Sequence, residues 1–124
     1  MGRRPMLRLA SDADVHGAII RGMRRRRPEL DLLRVQDALA LATPDPEVLV
    51  WSAAENRILI TNDRNTMVAA AYSRVAAGEP MPGLIVTSAE QSIGSAIDDI
   101  LLIADCISPE EISNLIVLFL PLLN

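Results

Sequence analysis

Five short, largely apolar runs lie along the chain, the first four end in polar residues, and helix-length segments separate one run from the next. The runs lie at residues 6–11, 30–35, 57–61, 83–88 and 115–120. Near-continuous apolar runs are typical of strands that are buried on both faces of a parallel sheet. Strands that alternate with helices predict an α/β domain, here a single domain over residues 1–124. We expect a three-layer α/β/α fold around a mostly parallel sheet of about five strands.

Helix signals fill the intervals between the apolar runs. Asp45 before Pro46 is typical of a helix start, with the acid as N-cap. Ser88 with Gln91 predicts a capping box at the start of a later amphipathic helix. We expect helices over residues 15–27, 43–57, 66–78, from Ser88 onward, and over 108–114.

Charge is distributed unevenly along the chain, whose net charge is −4. Residues 1–34 contain nine arginines and four acidic residues, whereas residues 35–124 contain three arginines and twelve acidic residues. The twelve basic residues are all arginine, so any mechanism that requires a lysine is excluded. Aromatic residues make up only 2% of the chain, which leaves few platforms on which nucleic-acid bases could stack.

The cysteine count and the apolar segments bear on the setting of the protein. Cys106 is the single cysteine, which excludes an internal disulfide and a cysteine-based metal cluster. The most apolar segment, near the end of the chain, is about half the ~20 residues that a membrane helix needs. We therefore expect a cytoplasmic protein that does not enter a membrane. An apolar last strand at the sheet edge favours pairing in a homodimer.

Acidic residues stand where the ends of parallel strands would meet. Asp12 and Asp14 follow the first apolar run, Asp63 follows the third, and Asp45 opens the helix that leads into the third. Ligands bind beyond the carboxyl ends of strands in sheets of this class. Oxygen ligands without thiols suit Mg²⁺ or Mn²⁺. Each acid is also in position to cap a helix, so the metal site and helix capping are both open interpretations.

Three stretches resemble short PIN-like domains, the toxin-type, VapC-like ribonucleases of the PIN superfamily. They are "LRLASDADV", "TPDPEVLVWSAAENRILITNDRN" and "MPGLIV", and together the resemblance covers almost the whole chain. Its specific part is the T-N-D stretch with the Asp-led helix before it. The resemblance implies a PIN-like fold and a Mg²⁺- or Mn²⁺-dependent endoribonuclease. It also implies RNA as substrate and a cognate antitoxin protein as partner.

The resemblance also implies roles for individual residues. Asp12, Asp45 and Asp63 match the catalytic, metal-binding acids of the family, and Asp14 falls where the family carries Asn or an acid. Asn65 stands where the family usually has Asp, and an early glutamate of larger PIN nucleases has no clear counterpart. Supporting roles in orienting water or phosphate and bracing the loop fall to Thr61, Asn62 and Asn65. Metal ions held by the aspartates would activate a water for attack on the RNA phosphodiester.

A run of four arginines has two interpretations. Cations at the end of a helix complement the negative end of its dipole. They also offer a landing surface for RNA phosphates, which an acidic site would otherwise repel, or for an acidic antitoxin segment. The residues are Arg24, Arg25, Arg26 and Arg27.

Two other functions remain open at this point. A PIN-like protein that has lost catalysis and acts by protein association agrees with Asn65 in place of Asp. A phosphatase with Asp12 as nucleophile agrees with "SDADV", which resembles the signature of haloacid-dehalogenase-type phosphatases. The absence of lysine counts against the phosphatase, because arginine is a poor substitute for a lysine point charge.

Overall fold

The fold is a five-stranded parallel sheet with helices on both faces, in a computed structural model that describes residues 7–122. The strands are β1 (Arg8–Ser11), β2 (Asp31–Arg34), β3 (Ile58–Thr61), β4 (Leu84–Val86) and β5 (Val117–Phe119). The helices are α1 (Gly17–Arg26), α2 (Val35–Ala38), α3 (Asp45–Ala54), α4 (Thr66–Ala76), α5 (Ile93–Cys106) and α6 (Pro109–Leu115). The predicted fold class is confirmed, and the mostly parallel sheet is parallel throughout.

The strand order is β2-β1-β3-β4-β5, and every neighbouring pair is parallel. This is the flavodoxin-like doubly wound order, in which the chain changes direction across the sheet between β1 and β3. Ligand sites in such sheets lie beyond the carboxyl ends of the strands at that point. A functional site is therefore expected at the carboxyl ends of β1 and β3.

Successive residues of the central strands face opposite helical layers. Leu9 and Ile60 belong to a core with α1 and α5, whereas Ala10 and Leu59 belong to a second core with α3 and α4. All four side chains are fully buried. Burial on both faces explains why the strands are apolar without alternation.

Two features of the helices differ from the sequence expectation. The helix expected to begin at Ser88 begins at Ile93, because the Ser92 hydroxyl accepts the capping hydrogen bond from the Ser95 N–H at 3.2 Å. Ser88 instead accepts from the Glu90 N–H within a turn. Helix α2 was not predicted, because its single turn carries no capping side chain. Within residues 7–122, no helix has both the length and the apolar character needed to cross a membrane.

Candidate functional site

The carboxylates of Asp12 and Asp14 lie around one hydroxyl group at the carboxyl ends of β1 and β3. Thr61, the last residue of β3, is fully buried, and its Oγ1 donates to Asp12 Oδ2 at 2.9 Å. The same oxygen lies 3.4 Å from Asp14 Oδ1. A hydroxyl has one proton, so Thr61 donates to one carboxylate at a time. Two negative side chains are thus held side by side at the switch point of the sheet.

Backbone N–H groups fix these two carboxylates. Asp12 Oδ1 accepts from the Ala13 N–H at 2.9 Å, and Asp14 Oδ1 accepts from the Asn62 N–H at 3.0 Å. Neither acid caps α1, because His16 fills that position and its Nδ1 accepts from the Ala18 N–H at 3.1 Å. The capping interpretation is therefore wrong for Asp12 and Asp14.

The environment of the pair disfavours two negative charges. Burial raises the pKa of Asp12, the charge of Asp14 adds to this, and Asp45 contributes less, while bonds from Thr61 and Ala13 oppose the rise. Burial also raises the pKa of Asp14, with a smaller contribution from the charge of Asp63. A bound cation would remove this repulsion.

Asp45 and Asp63 form a second pair around a different hydroxyl. Thr66 Oγ1 lies 2.7 Å from Asp45 Oδ2 and is also hydrogen-bonded to Asp63 Oδ2. Asp63 Oδ1 accepts from the N–H groups of Asn65 and Thr66, at 2.8 and 3.0 Å. Thr66 is the first residue of α4, so Asp63 satisfies the N–H groups at the start of that helix, as the capping interpretation expects.

The surroundings of Asp63 favour its charged form. The Thr66 hydroxyl is the main cause of a lowered pKa, and the N–H groups of Asn65 and Thr66 lower it further, whereas slight burial opposes them. Asp45 was expected to cap its own helix, but α3 begins at Asp45 with Pro44 as the N-cap residue. The Asp45 carboxylate instead connects α3 to the start of α4 through Thr66.

The structure does not gather the four aspartates into one set of ligands. Across residues 7–122 there is no group of three or more His, Cys, Asp or Glu side chains that could hold a metal ion. The two pairs nevertheless adjoin, because the Asp63 N–H donates to Thr61 Oγ1 at 3.1 Å. Mg²⁺ keeps several waters and is commonly held by one or two carboxylates. The Asp12–Asp14 pair has the donor chemistry for such a partly hydrated ion.

The two asparagines next to Asp63 make different contacts. The Asn62 Oδ1 accepts from Thr87 Oγ1 at 3.0 Å, which ties the loop after β3 to the residue after β4. The side chain of Asn65 makes no capping hydrogen bond and is exposed, and only its backbone N–H contacts Asp63. Asn62 thus braces the loop, whereas the Asn65 side chain faces solvent.

A groove runs beside Asp14. Its volume is about 540 Å³, and Asp14, His16, Asn62, Thr87 and Ser88 contribute to its lining. Ligand pockets generally have volumes of ~300–1,000 Å³. The Asp12–Asp14 pair therefore lies next to space for a nucleotide-sized group.

The four consecutive arginines make different contacts. Arg26 donates to Asp98 at 2.7 Å, and Arg27 forms two bonds of 2.5 Å with Asp105, so both connect α1 to α5. Arg24 donates to the backbone oxygen of Leu32 in β2 at 3.1 Å. Arg25 is exposed. At least two of the four are engaged in holding the helices together.

Sequence reasoning missed two threonines of the site. Thr66 bridges Asp45 and Asp63, and Thr87 anchors Asn62. The position of Thr66 at a helix start was readable from the sequence. Its contact with Asp45 depends on the packing of α3 against α4, for which the sequence carries no local signal.

Fold and site together define the class of protein: a doubly wound α/β domain with a carboxylate pair at its switch point. No protein-family model matches the chain, and no curated protein or solved structure is significantly similar to it. Any assignment of function therefore rests on the residues of this chain.

Proposed function

We propose that this protein is a Mg²⁺- or Mn²⁺-dependent endoribonuclease that holds its ion through Asp12 and Asp14. One observation carries the proposal. Two carboxylates share the Thr61 hydroxyl at the switch point, neither is used for helix capping, and burial raises the pKa of both. Perturbed acids crowded next to a groove are characteristic of functional sites.

The residues around the ion would have separate tasks. Thr61 and the Ala13 N–H orient Asp12, and the Asn62 N–H orients Asp14, which leaves the second lone pair of each bonded oxygen for the cation. When bound, the ion supplies an activated water and neutralises charge that develops on the phosphodiester. Asp63 and Asp45 lie next to the pair and add negative charge, but Thr66 occupies one oxygen of each. We therefore assign them to the surroundings of the ion.

The proposal includes the family that the sequence resembles. As a PIN-like protein, the chain would be the toxin of a toxin–antitoxin pair and would bind a cognate antitoxin. Exposed apolar side chains at the β5 side of the fold, Leu115 and Phe119, agree with a protein partner or a second copy there.

Cleavage of single-stranded RNA tests the proposal directly. Purified protein is incubated with end-labelled RNA in Mn²⁺ or in chelator, alongside Asp12→Asn, Asp14→Asn and a matched control, Glu79→Gln. Glu79 is exposed beyond the end of α4, so its variant removes one negative charge away from the pair. We expect cleavage only with Mn²⁺, at least ~100-fold slower in both Asp variants and unchanged in the control. Absence of cleavage in Mn²⁺, or cleavage that both Asp variants retain in full, would overturn the proposal.

A second candidate is a protein of the same fold that acts by association alone. The engagement of Asp45 and Asp63 by Thr66 favours it, because a three-aspartate site is then not assembled among the described residues. Calorimetric titration with Mn²⁺ separates the two candidates. Heat of binding that disappears in Asp12→Asn supports the nuclease, and no binding by the wild-type protein supports association.

A third candidate is phosphoryl transfer through Asp12. The strand order favours this candidate, because doubly wound folds with the same order bind phosphate-bearing ligands at the β1/β3 switch point. Both oxygens of Asp12 already accept hydrogen bonds, from Ala13 and Thr61, which is poor preparation for a nucleophile. Formation of a stable beryllofluoride adduct at Asp12 would favour this third function over the first two.

A further inference from the structure

A second, positively charged pocket lies on the β2 side of the carboxylate pair. It has a volume of about 260 Å³ and lies between α1 and the edge strand β2. Three arginines and one glutamine contribute to its lining. We call it the arginine pocket and define it by Gly17, Ile20, Arg21, Arg24, Arg34 and Gln36.

The guanidinium groups of the arginine pocket are positioned by the fold. Arg24 Nη2 donates to the Leu32 oxygen on the free edge of β2, which holds that side chain against the sheet. When the Gln36 amide takes the orientation that its donor and acceptor neighbours favour, its oxygen accepts from Arg34 Nη2 at 2.9 Å and from Arg34 Nε at 3.2 Å. A fixed guanidinium loses less conformational entropy when it binds an anion.

Glycine at position 17 allows Arg21 to lie close to the first turn of α1. A Cβ atom there would be 2.9 Å from Arg21 Nη1. Arg21 and Arg24 are both exposed, and no ion pair within residues 7–122 involves either of them. The nearest acid to Arg34 is Asp37, whose Oδ2 lies 3.8 Å from Arg34 Nε. The pocket therefore has an excess of positive charge.

The arginine pocket and the carboxylate pair are linked through one shared lining residue and the register of the sheet. Gln36 lines both this pocket and a small cleft that Asp12 also lines. In the sheet, Arg34 is in register with Ser11, the residue before Asp12. The arginines thus lie near the carboxyl ends of the strands, as the acidic pair does, but on the β2 side of it. The larger groove opens beside Asp14, on the other side of the pair.

We infer that the arginine pocket binds a backbone phosphate of RNA next to the phosphodiester at Asp12 and Asp14. Guanidinium groups match phosphate oxygens with paired hydrogen bonds. No aromatic side chain lines the pocket within the described residues, so it would bind the backbone with little preference for base. The inference rests on RNA being the substrate, as proposed above, and it replaces Arg26 and Arg27 as phosphate ligands.

The test compares two double variants, each of which loses two positive charges. Arg21→Gln/Arg34→Gln removes two cations of the pocket, and Arg8→Gln/Arg74→Gln removes two elsewhere. Arg8 pairs with Asp31 and Glu55 at the start of β1, and Arg74 donates to the Pro80 oxygen near the end of α4. Binding of a fluorescent single-stranded RNA is measured in chelator over a range of salt concentrations.

We expect the pocket variant to bind RNA roughly tenfold more weakly and the control variant to bind as the wild type does. The slope of log affinity against log salt should fall by about 0.7 for each phosphate contact that is lost. Inorganic phosphate should compete for RNA in the wild type more effectively than in the pocket variant. Equal RNA affinities of the two variants would overturn the inference. If the pocket variant binds RNA as the wild type does but no longer binds polyglutamate, the inference is overturned in favour of an acidic protein partner.

Hydrolysis in Mn²⁺ separates failure of this inference from failure of the proposed function. The pocket variant should raise KM for RNA and leave kcat and the hydrolysis of bis(p-nitrophenyl) phosphate unchanged, because that diester has no neighbouring phosphate. If neither substrate is hydrolysed by the wild type, the nuclease proposal fails, whereas the RNA-binding difference still tests the pocket. If RNA is hydrolysed with equal KM by both variants, the nuclease stands and the pocket inference fails.

Discussion

The negative charge of Asp12 is unfavourable in the folded protein, and its hydrogen bonds only partly offset this. Burial and the charge of Asp14 raise its pKa above the ordinary value of 3.8. In chelator we therefore expect Asp12→Asn to be more stable than the wild type at neutral pH, by roughly 0.5–2 kcal/mol. The Asn side chain can keep the Ala13 contact while Thr61 turns its proton toward Asp14. Chemical denaturation at several pH values measures the difference.

The sign of the pH dependence follows from the raised pKa of Asp12. A folded-state pKa above the unfolded value means that protonation favours the folded state. The gain in unfolding free energy of Asp12→Asn over the wild type should thus be largest above the folded-state pKa and should shrink as pH falls toward 3.8. Added Mn²⁺ should stabilise the wild type and leave the variant unchanged. A variant less stable than the wild type at neutral pH in chelator would contradict this account.

Asp63 has the opposite electrostatic character. Its pKa is lowered, mainly by the Thr66 hydroxyl, and it accepts two N–H groups at the start of α4. We expect Asp63→Ala to lose about 1 kcal/mol of unfolding free energy at neutral pH, as for other lost caps. Asn65→Ala is the control, because that side chain makes no capping hydrogen bond. Urea denaturation curves of the two variants provide the comparison.

The pH dependence of the Asp63 contribution also runs opposite to that of Asp12. A lowered folded-state pKa gives stability that is present above 3.8 and lost as pH falls through the folded-state value. The difference between wild type and Asp63→Ala should therefore persist at pH 5 and diminish only below about pH 3.8. A difference that grows on acidification would contradict the assignment of Asp63 as a cap.

At single positions, the sequence predicts which acids are present but not which contacts they make. Asp63 was readable as a cap, because it lies just before a helix. Asp12 and Asp14 also precede a helix, yet His16 caps it, and their actual partner is Thr61, far away in sequence. Local rules describe neighbours along the chain, and the pairing of Asp12 with Thr61 requires β1 to lie beside β3.

Among the secondary-structure elements, α1 and α5 approach each other closely at one glycine. A Cβ at Gly22 would lie 2.3 Å from Ile97 Cδ1. We expect Gly22→Leu to destabilise the protein by ~1–3 kcal/mol, because a larger side chain forces the helices apart. Gly94→Leu is a matched control on α5, since a Cβ added at that position would have no neighbouring atom within 4 Å. Thermal unfolding of both variants measures the effect.

The two glycine variants separate packing from helix propensity. Leucine is a better helix former than glycine at either position, so helix propensity alone would stabilise both variants. Only Gly22→Leu meets Ile97, which is itself buried. Equal Tm values for the two variants would show that α1 and α5 tolerate the extra volume.

Element positions were more predictable than element ends. The five strands and the helices α1, α3, α4, α5 and α6 fall within or close to the predicted ranges. The predicted start of α5 was wrong, because Ser88 and Ser92 offer equivalent capping chemistry and the hydroxyl that caps the helix is that of Ser92. Capping signals identify candidates for a helix start, and burial of the helix decides between them.

For the molecule as a whole, strand order was the part that the sequence left open. Alternating strands and helices predicted a parallel sheet, which is confirmed. The same alternation is compatible with several orders of strands, and the order decides which residues meet. In the observed order β1 and β3 are neighbours, which brings Asp12 and Asp14 to Thr61. Arg34 arrives beside Ser11 for the same reason, as β2 is the other neighbour of β1.

The strand order also predicts how stability is distributed across the molecule. β3 is the central strand, bonded to both β1 and β4, and its four residues are all buried. Among residues 7–122, β5 is an edge strand bonded to β4 alone, and Phe119 in it is 46% exposed. Strands with few buried contacts open at lower free energy than central ones. We expect amide hydrogens of β3 to exchange most slowly and those of β5 much faster, as measured by NMR at neutral pH.

The other edge should behave differently from β5. In the described part of the chain β2 is bonded to β1 alone, but Arg24 donates to the Leu32 oxygen on the other side of β2, and Leu32 is buried. Exchange in β2 should therefore be intermediate and should become faster in Arg24→Gln, while β5 is unaffected. Exchange in β5 as slow as in β3 would contradict the predicted order. If the order holds, Asp12 and Thr61 are carried by the most stable part of the sheet, so the carboxylate pair stays assembled when the edges open.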